Sequence, residues 1–457
     1  MPTLIEDTIA AISTPIGKSA VGVIRLSGQD SRKITESIFY FAQHTLQDRT
    51  PVLGNIQRSH SEPILDEAVV TYFQKPRSFT REDVVEISCH GSPIVLKAVL
   101  NLLLEKGARM ATPGEFTLRA YLRGRIDLMQ AEGIRDLIEA KTLFQAQVAR
   151  QQASGSLSKR VKPIKESLVN LIALLEAGID FADDDVSILS DLEIDRRLDD
   201  IIVSLSDLDN SFSVGRLINE GLTVAIVGRP NVGKSSLFNK ILDQNRAIVS
   251  EIPGTTRDII SETSNLEGMP IRWLDTAGIR DSSSRLENIG VDRSKEVLGE
   301  VDRVLLVFDG SVSLTEEDKA LLSTIRKQPF FLVINKIDLD QKLTQKQLPP
   351  LKEPIVRVSS LTGDGIGSLK TLLLGELADH SALEQDGAFL SNFRQKQQVE
   401  EALKATKGSL RSFKQEMPHE VFLIDLHRAL KSLNGLTGET TIEDILGNIF
   451  STFCIGK

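Results

Sequence analysis

The segment GRPNVGKS, Gly228–Ser235, constrains this chain more than any other stretch of its length. It has the spacing GxxxxGK[ST] and lies between an apolar run, LTVAIV, and a helical pattern that opens SSLFNKIL. Strand, glycine loop and helix in that order form a cradle for phosphate, because glycines let backbone N–H groups converge on phosphate oxygens. Lys234 is placed to reach the β- and γ-phosphates, and the Ser235 hydroxyl to ligate Mg²⁺. The surrounding sequence agrees. LTVAIVG, IRWLD, RVLLVFD, PFFLVIN and PIVRVSS are near-continuous apolar strands, several of them separated by helical patterns. That alternation predicts a parallel sheet covered on both faces.

Four more motifs follow the loop in order. GTTRD, Gly254–Asp258, supplies Thr256 for Mg²⁺ and the γ-phosphate. DTAG, Asp275–Gly278, follows the strand IRWL, where a carboxylate can hold Mg²⁺ through water and the Gly278 amide can sense the γ-phosphate. NKID, Asn335–Asp338, follows PFFLVI. Asp338 can accept from both N1–H and the exocyclic amine of guanine. Adenine lacks that donor pair, so a buried Asp338 would lose its partners. Asn335 ties loops together, and the Lys336 stem covers the purine. Ser359, Ser360 and Leu361 end another strand, where backbone amides can meet guanine O6. Each motif alone can be a turn or a strand end; five in this order predict a P-loop GTPase that takes GTP rather than ATP. In many GTPases a glutamine follows DTAG to orient the attacking water. Here that position is Ile279, so another group must do so; Glu287, in RLENIG, is one of several acidic candidates.

At 457 residues the chain has room for about three domains at ~150 residues each. Residues 1–117 mix short strands, VGVIRLSG and DVVEISCHG among them, with a helix over Pro93–Gly107, so an α+β domain is expected. Residues 118–220 are helical, with apolar residues recurring at three and four, as at Leu168, Leu171, Ile172 and Leu175. The acidic runs Asp180–Asp185 and Asp191–Asp200 read as solvated helix faces. Residues 221–377 form the α/β segment, and residues 378–457 return to helix. The economical reading is a discontinuous all-α domain interrupted by an inserted α/β P-loop GTPase domain. Periodicity alone does not prove that the two helical stretches meet.

A net charge of −9 argues against coating nucleic acid through bulk charge, but leaves room for a local basic site. Aromatic residues at 5% make base-stacking platforms a poor explanation. No apolar run is long enough for a membrane span, and no basic region followed by an apolar core opens the chain. Two cysteines, Cys89 and Cys454, cannot build a disulfide framework, so a cytoplasmic location is expected.

Together GRPNVGKSS, GTTRD, DTAGIR, NKID, VGVIRLSG and the terminal FCIGK resemble the tRNA uridine-5-carboxymethylaminomethyl modification GTPases, the MnmE or TrmE family. The resemblance covers the whole chain. It implies an N-terminal tetrahydrofolate-binding and dimerisation domain, a split helical domain and a Ras-like G domain. It also implies a potassium-dependent GTPase whose two G domains meet across a homodimer. GTP contacts would come from Asn231, Val232, Gly233, Lys234, Ser235 and Ser236. They would continue through Ser250, Glu251, Ile252, Pro253, Gly254, Thr255 and Thr256, then Asp275, Thr276, Ala277 and Gly278. Asn335, Lys336, Ile337 and Asp338, with Ser359, Ser360 and Leu361, would complete them. K⁺ would be held by Asn231, Ser250, Ile252 and Thr255, and would neutralise charge as an arginine finger does elsewhere. Glu287 matches the catalytic glutamate and Arg280 a supporting position. A 5-formyl- or methylene-type tetrahydrofolate would lie on Arg25, Glu86, Arg125 and Lys457. A flavin-dependent partner of the MnmG type, in a heterotetramer or larger assembly, and tRNA would complete the system.

Cys454 stands fourth from the last residue, but CIGK is a poor prenylation signal. A packed or merely exposed thiol is the plain alternative; the resemblance implies participation near the target uridine. Two other function classes compete. A GTPase switch that binds ribosomal RNA would need a basic RNA-binding module, and neither a GXXG loop in a KH-like context nor a basic tail is visible. An ATP-driven motor is opposed by NKID.

Overall fold

The computed structural model describes residues 7–41, 45–180, 190–243, 261–266, 268–274, 301–378, 388–439, 443–453 and 456. Two compact units divide the chain: one draws on residues 1–135, 168–188 and 411–457, the other on 136–167 and 189–410.

The first unit is built on β1 (Ile9–Ile12), β2 (Val21–Ser27), β3 (Phe39–Tyr40), β4 (Val52–Ile56), β5 (Asp66–Phe73), β6 (Val84–His90) and β7 (Arg109–Met110). They pair in the order β3-β4-β5-β6-β2-β1-β7. All neighbours are antiparallel except β1 and β7. Side chains alternate across the sheet. Ile24, Leu26, Val85 and Ile87 bury under the helix Pro93–Glu105, which contributes Leu96, Val99, Leu100 and Leu103. Arg25 and Glu86 stand opposite each other in register on β2 and β6, and both side chains are half-buried. The helix Pro93–Glu105 is the one the sequence predicts; Ser31–Glu36 and Glu115–Leu122 are additional. The latter runs through residue 117, expected as a domain boundary, and buries Phe116 with Ile9, Ala11 and Ala111. Helices Glu115–Leu122 and Glu443–Ser451 meet where a side chain at Gly114 would strike the Phe450 carbonyl.

The second unit carries β8 (Leu222–Val227), β9 (Ser261–Leu266), β10 (Met269–Leu274), β11 (Arg303–Asp309), β12 (Phe330–Asn335) and β13 (Ile355–Arg357), in the order β13-β12-β11-β8-β10-β9. Five strands are parallel, as expected. β9 corrects that expectation: it pairs antiparallel with β10 through a turn at Gly268, which has φ +96°. Its polar sequence, SETSNL, hides an edge strand. Both faces are covered. Val224, Ile226, Val307 and Val333 pack under the helices Lys234–Asp243 and Ile366–Ala378, and Leu306, Phe308, Leu332 and Ile334 under Glu316–Ile325.

The helical stretches on either side of this sheet do meet within the second unit. Arg160 Nη1 donates to the Ala388 carbonyl at 2.7 Å and Gln152 Nε2 to that of Phe389 at 3.3 Å. Leu168, Leu171, Ile172 and Leu175 are buried, as their spacing predicts. From Asp191 to Asp200 only Ile194 and Leu198 are buried, so that acidic run is a solvated helix face. In the run Asp180–Asp185, everything beyond Asp180 lies outside the described residues.

Candidate functional site

The glycine loop joins β8 to the helix Lys234–Asp243, as its sequence context predicts. Two of its glycines are irreplaceable for steric reasons. A Cβ at Gly228 would lie 2.5 Å from the Val307 carbonyl oxygen, and Gly233 has φ +96° with Asn335 Nδ2 where a Cβ would stand. Lys234 Nζ donates to the carbonyls of Gly228 and Arg229 at 2.9 and 2.8 Å. Burial pushes this ammonium group's pKa down, a penalty that an anionic phosphate would offset. The hydroxyls of Ser235 and Ser236 are exposed and make no hydrogen bond among the described residues, and the same holds for the Asn231 side chain.

The end of β12 reaches back to this loop. Asn335, 1% exposed, donates from Nδ2 to the Val232 carbonyl at 2.9 Å. Its Oδ1 accepts from the Ser360 amide at 3.0 Å and the Ser360 hydroxyl at 2.8 Å. One side chain therefore links the glycine loop, NKID and the Ser359–Leu361 turn. Lys336 has φ +64° and sends Nζ across to the Asn231 carbonyl at 2.8 Å and Asp309 Oδ2 at 2.6 Å. Asp338 Oδ1 accepts from the Ser359 hydroxyl at 2.5 Å. The Leu361 and Thr362 amides converge on that same hydroxyl at 3.3 and 3.1 Å. Ile337 is held by its amide to the Val358 carbonyl at 3.2 Å. The structure thus brings together Asn231, Val232, Gly233, Lys234, Ser235, Ser236, Asn335, Lys336, Ile337, Asp338, Ser359, Ser360 and Leu361.

One expectation is corrected. Asp338 is exposed, not buried, because NKID ends in a surface turn beyond β12. Ser250, Glu251, Ile252, Pro253, Gly254, Thr255, Thr256, Asp275, Thr276, Ala277, Gly278, Arg280 and Glu287 lie outside the described residues, as do Cys454 and Lys457.

Sequence reasoning missed Asp309. Burial pushes its carboxyl up, but hydrogen bonds from Lys336 and from the Ser311 hydroxyl and amide hold it below the usual carboxylate range. It sits in register with Asn335 at the carboxyl end of β11. The signal was available: ligands of open α/β sheets gather at strand carboxyl ends, and RVLLVFD ends in an acid. Arg229 was also missed; its Nε donates to Asp318 at 2.7 Å, which fixes the loop against the helix Glu316–Ile325.

In the first unit, Arg25 binds Glu86 Oε1 through Nε at 2.9 Å and Nη2 at 2.6 Å. Arg25 also lies 5.8 Å from the Phe116 ring centroid, and its Nη1 donates to the Gly456 carbonyl at 3.4 Å. Ser13 Oγ donates to the same carbonyl at 3.1 Å. Gly456 has φ +93°, and a Cβ there would lie 2.6 Å from the Ile12 carbonyl. The chain is thereby pinned on β1 and β2 one residue before Lys457. Arg125 donates to the Ser78 carbonyl and lies 5.4 Å from the Phe79 ring, which packs against the Phe116 cluster. Cys89 is buried in β6, and burial pushes its thiol up to about 12, which makes it an inert core residue.

A buried ion network beside this face had no sequence signal. Arg119 pairs with Glu82, Glu115 and Asp7, and Glu82 also accepts from Arg123 and Ser27. Among the described residues, no helix is long and apolar enough to cross a membrane.

Two family profiles match the chain: the GTP-binding protein TrmE N-terminus over residues 8–125 and the MnmE helical domain over residues 128–454. Curated relatives match from end to end. The tRNA modification GTPase MnmE of Koribacter versatilis (strain Ellin345) is 48% identical over 99% of this chain and 100% of its own length. The proteins of that name from Alkaliphilus oremlandii (strain OhILAs) and Aquifex aeolicus (strain VF5) are each 41% identical over the same shares.

Proposed function

Because the chain belongs to the MnmE (TrmE) family of tRNA modification GTPases, we propose that its GTP hydrolysis is potassium-activated and serves wobble-uridine chemistry. It is a GTP hydrolase of tRNA modification. With a flavin-dependent partner of the MnmG type it adds a carboxymethylaminomethyl group to C5 of the wobble uridine in certain tRNAs. A tetrahydrofolate one-carbon unit supplies the methylene carbon. The reaction runs on a homodimer, and GTP turnover drives domain rearrangement rather than bond formation at the base.

The observation that carries the nucleotide half is the Asn335 junction, which ties a phosphate cradle to a guanine-reading turn in one hydrogen-bonded unit. Lys234 meets the β- and γ-phosphates and Asp338 the guanine donor edge. Mg²⁺ fits the unengaged Ser235 hydroxyl, with Thr256 as second ligand. K⁺ fits the unengaged Asn231 amide, with Ser250, Ile252 and Thr255 completing its set; the ion supplies positive charge where phosphate negativity develops. Glu287 positions the attacking water, with Arg280 in a supporting position.

The folate half rests on the Arg25–Glu86 face. Glu86 Oε1 takes both Arg25 bonds, while Oε2 makes no hydrogen bond among the described residues. That free carboxylate oxygen suits the donor edge of a pterin. Phe79, half-buried, offers apolar cover, and Arg125 and Lys457 suit the glutamate tail. Folate supplies the one-carbon unit when bound.

GTP turnover measured in K⁺ and in Na⁺ tests the ion assignment. Faster hydrolysis in K⁺ is expected; equal rates would refute it.

A further inference from the structure

We propose that the loop of residues 74–82, with its neighbours Arg49 and Arg123, is a docking surface for the phosphate backbone of tRNA. The inference rests on the tRNA reading above and adds where the RNA touches this chain. In an acidic protein, any RNA contact must be local. Six cations surround this one loop: Arg49, Lys75, Arg77, Arg81, Arg123 and Arg125. All but Arg123, which is half-buried, are exposed.

Hydrogen bonds hold them together. Arg49 Nη2 donates to the Arg77 carbonyl at 2.6 Å, and Arg125 Nη1 donates to the next carbonyl, that of Ser78. Two guanidinium groups are therefore anchored on consecutive peptide groups. Arg81 Nη1 donates to the Arg123 carbonyl at 2.8 Å. These bonds consume one donor of each guanidinium and leave the rest for an anion.

Among the described residues, carboxylates pair with only two of these six cations. Asp48 pairs with Arg77 and Glu82 with Arg123. Asp83 takes the Tyr72 hydroxyl and the Lys75 amide and pairs with none of these cations among the described residues. Arg49, Lys75, Arg81 and Arg125 have no carboxylate partner among the described residues. Lys75 and Arg81 on this loop and Arg49 beside it, three unneutralised cations apart from the folate residue Arg125, match a chain of phosphates better than a single anion.

The backbone adds a second observation. Five non-glycine residues among those described have positive φ: Arg49 at 57°, Arg81 at 59°, Asn231 at 63°, Lys336 at 64° and Glu416 at 54°. Two of these belong to the nucleotide site, and two are arginines of this cluster. Such conformations persist where the surroundings hold a side chain in a required place.

Binding of unmodified tRNA to the full-length chain, measured between about 50 and 200 mM salt, tests the assignment. The double variant Lys75→Gln/Arg81→Gln should bind roughly tenfold more weakly at the low end, and the slope of log K against log salt should shrink by roughly 1.5. Lys75→Glu/Arg81→Glu should weaken binding further. GTP hydrolysis should match the parent protein in each. Should the Arg81 variants unfold, Lys75→Gln alone is expected to shrink the slope by roughly 0.8, because its side chain takes part in no fold-defining bond. Unchanged affinity and slope in folded variants overturn the proposal. So does loss of affinity for a folate polyglutamate with tRNA binding intact. Absence of tRNA binding by the parent protein would instead overturn the tRNA reading together with this one.

Discussion

Asn335 Nδ2 lies 2.9 Å from the carbonyl oxygen of Val232, although the two residues are 103 positions apart. Through this bond the NKID turn is braced against the glycine loop. If NKID reads guanine and the loop cradles phosphate, as proposed, base recognition and phosphate binding depend on one buried amide. Asn335→Ala should remove three hydrogen bonds and leave the Val232 carbonyl without its side-chain donor. At about 1 kcal/mol net per bond, GTP affinity should fall roughly a hundredfold. Titration with a fluorescent guanine nucleotide checks this, and an unchanged dissociation constant would contradict the bracing role.

Asp338→Asn should weaken GTP and admit xanthosine nucleotides, because the exchanged amide presents a donor where guanine requires an acceptor. Since Asp338 is exposed, the loss should be about tenfold to a hundredfold rather than complete. Competition between the two nucleotides provides the readout; an unaltered preference would remove Asp338 from base recognition.

Glu287→Ala should spare nucleotide binding and slow turnover, by roughly 10² to 10⁴ if the carboxylate positions the attacking water. Single-turnover hydrolysis at saturating GTP separates the two effects. Normal turnover would move the catalytic role to another acid.

Stability of the first unit should depend on pH through the Arg119 network. Burial raises the Glu115 carboxyl, but Arg109, the Thr112 amide and Arg119 hold it below its ordinary 4.5. Asp7 is likewise held below 3.8 by Arg109 and Arg119 despite its burial. Depressed carboxylates contribute fully above their unfolded values, and the contribution is lost as pH falls through the folded ones. Urea unfolding should therefore give a flat midpoint from pH 7 to about 5 and a steep fall below about 4. A midpoint that stays level to about pH 3 would show that these pairs do not stabilise the fold.

Local chemistry was legible in the sequence wherever one segment sufficed. The glycine loop, NKID and the run Leu168 to Leu175 each carry their own spacing, and β8, β12 and the buried helix follow from it. What escaped depends on partners far along the chain. Arg119 reads as one more charged residue on a short helix; only the fold brings Glu82 and Asp7 to it. β9 is too polar to announce itself and is a strand because β10 pairs with it. Asp338 reads as a buried base reader, yet the strand ends one turn too early to bury it. Arg25 and Glu86 read as strand residues, and their register pairing appears only once β2 meets β6.

The central claim is that this GTPase serves the wobble uridine. Its most direct test is mass spectrometry of tRNA nucleosides from cells lacking the protein, complemented with the parent chain or with Asn335→Ala. The account predicts loss of the carboxymethylaminomethyl-type uridines in the deletion, restoration by the parent chain and failure of restoration by the variant. A full complement of those nucleosides in the deletion would contradict it.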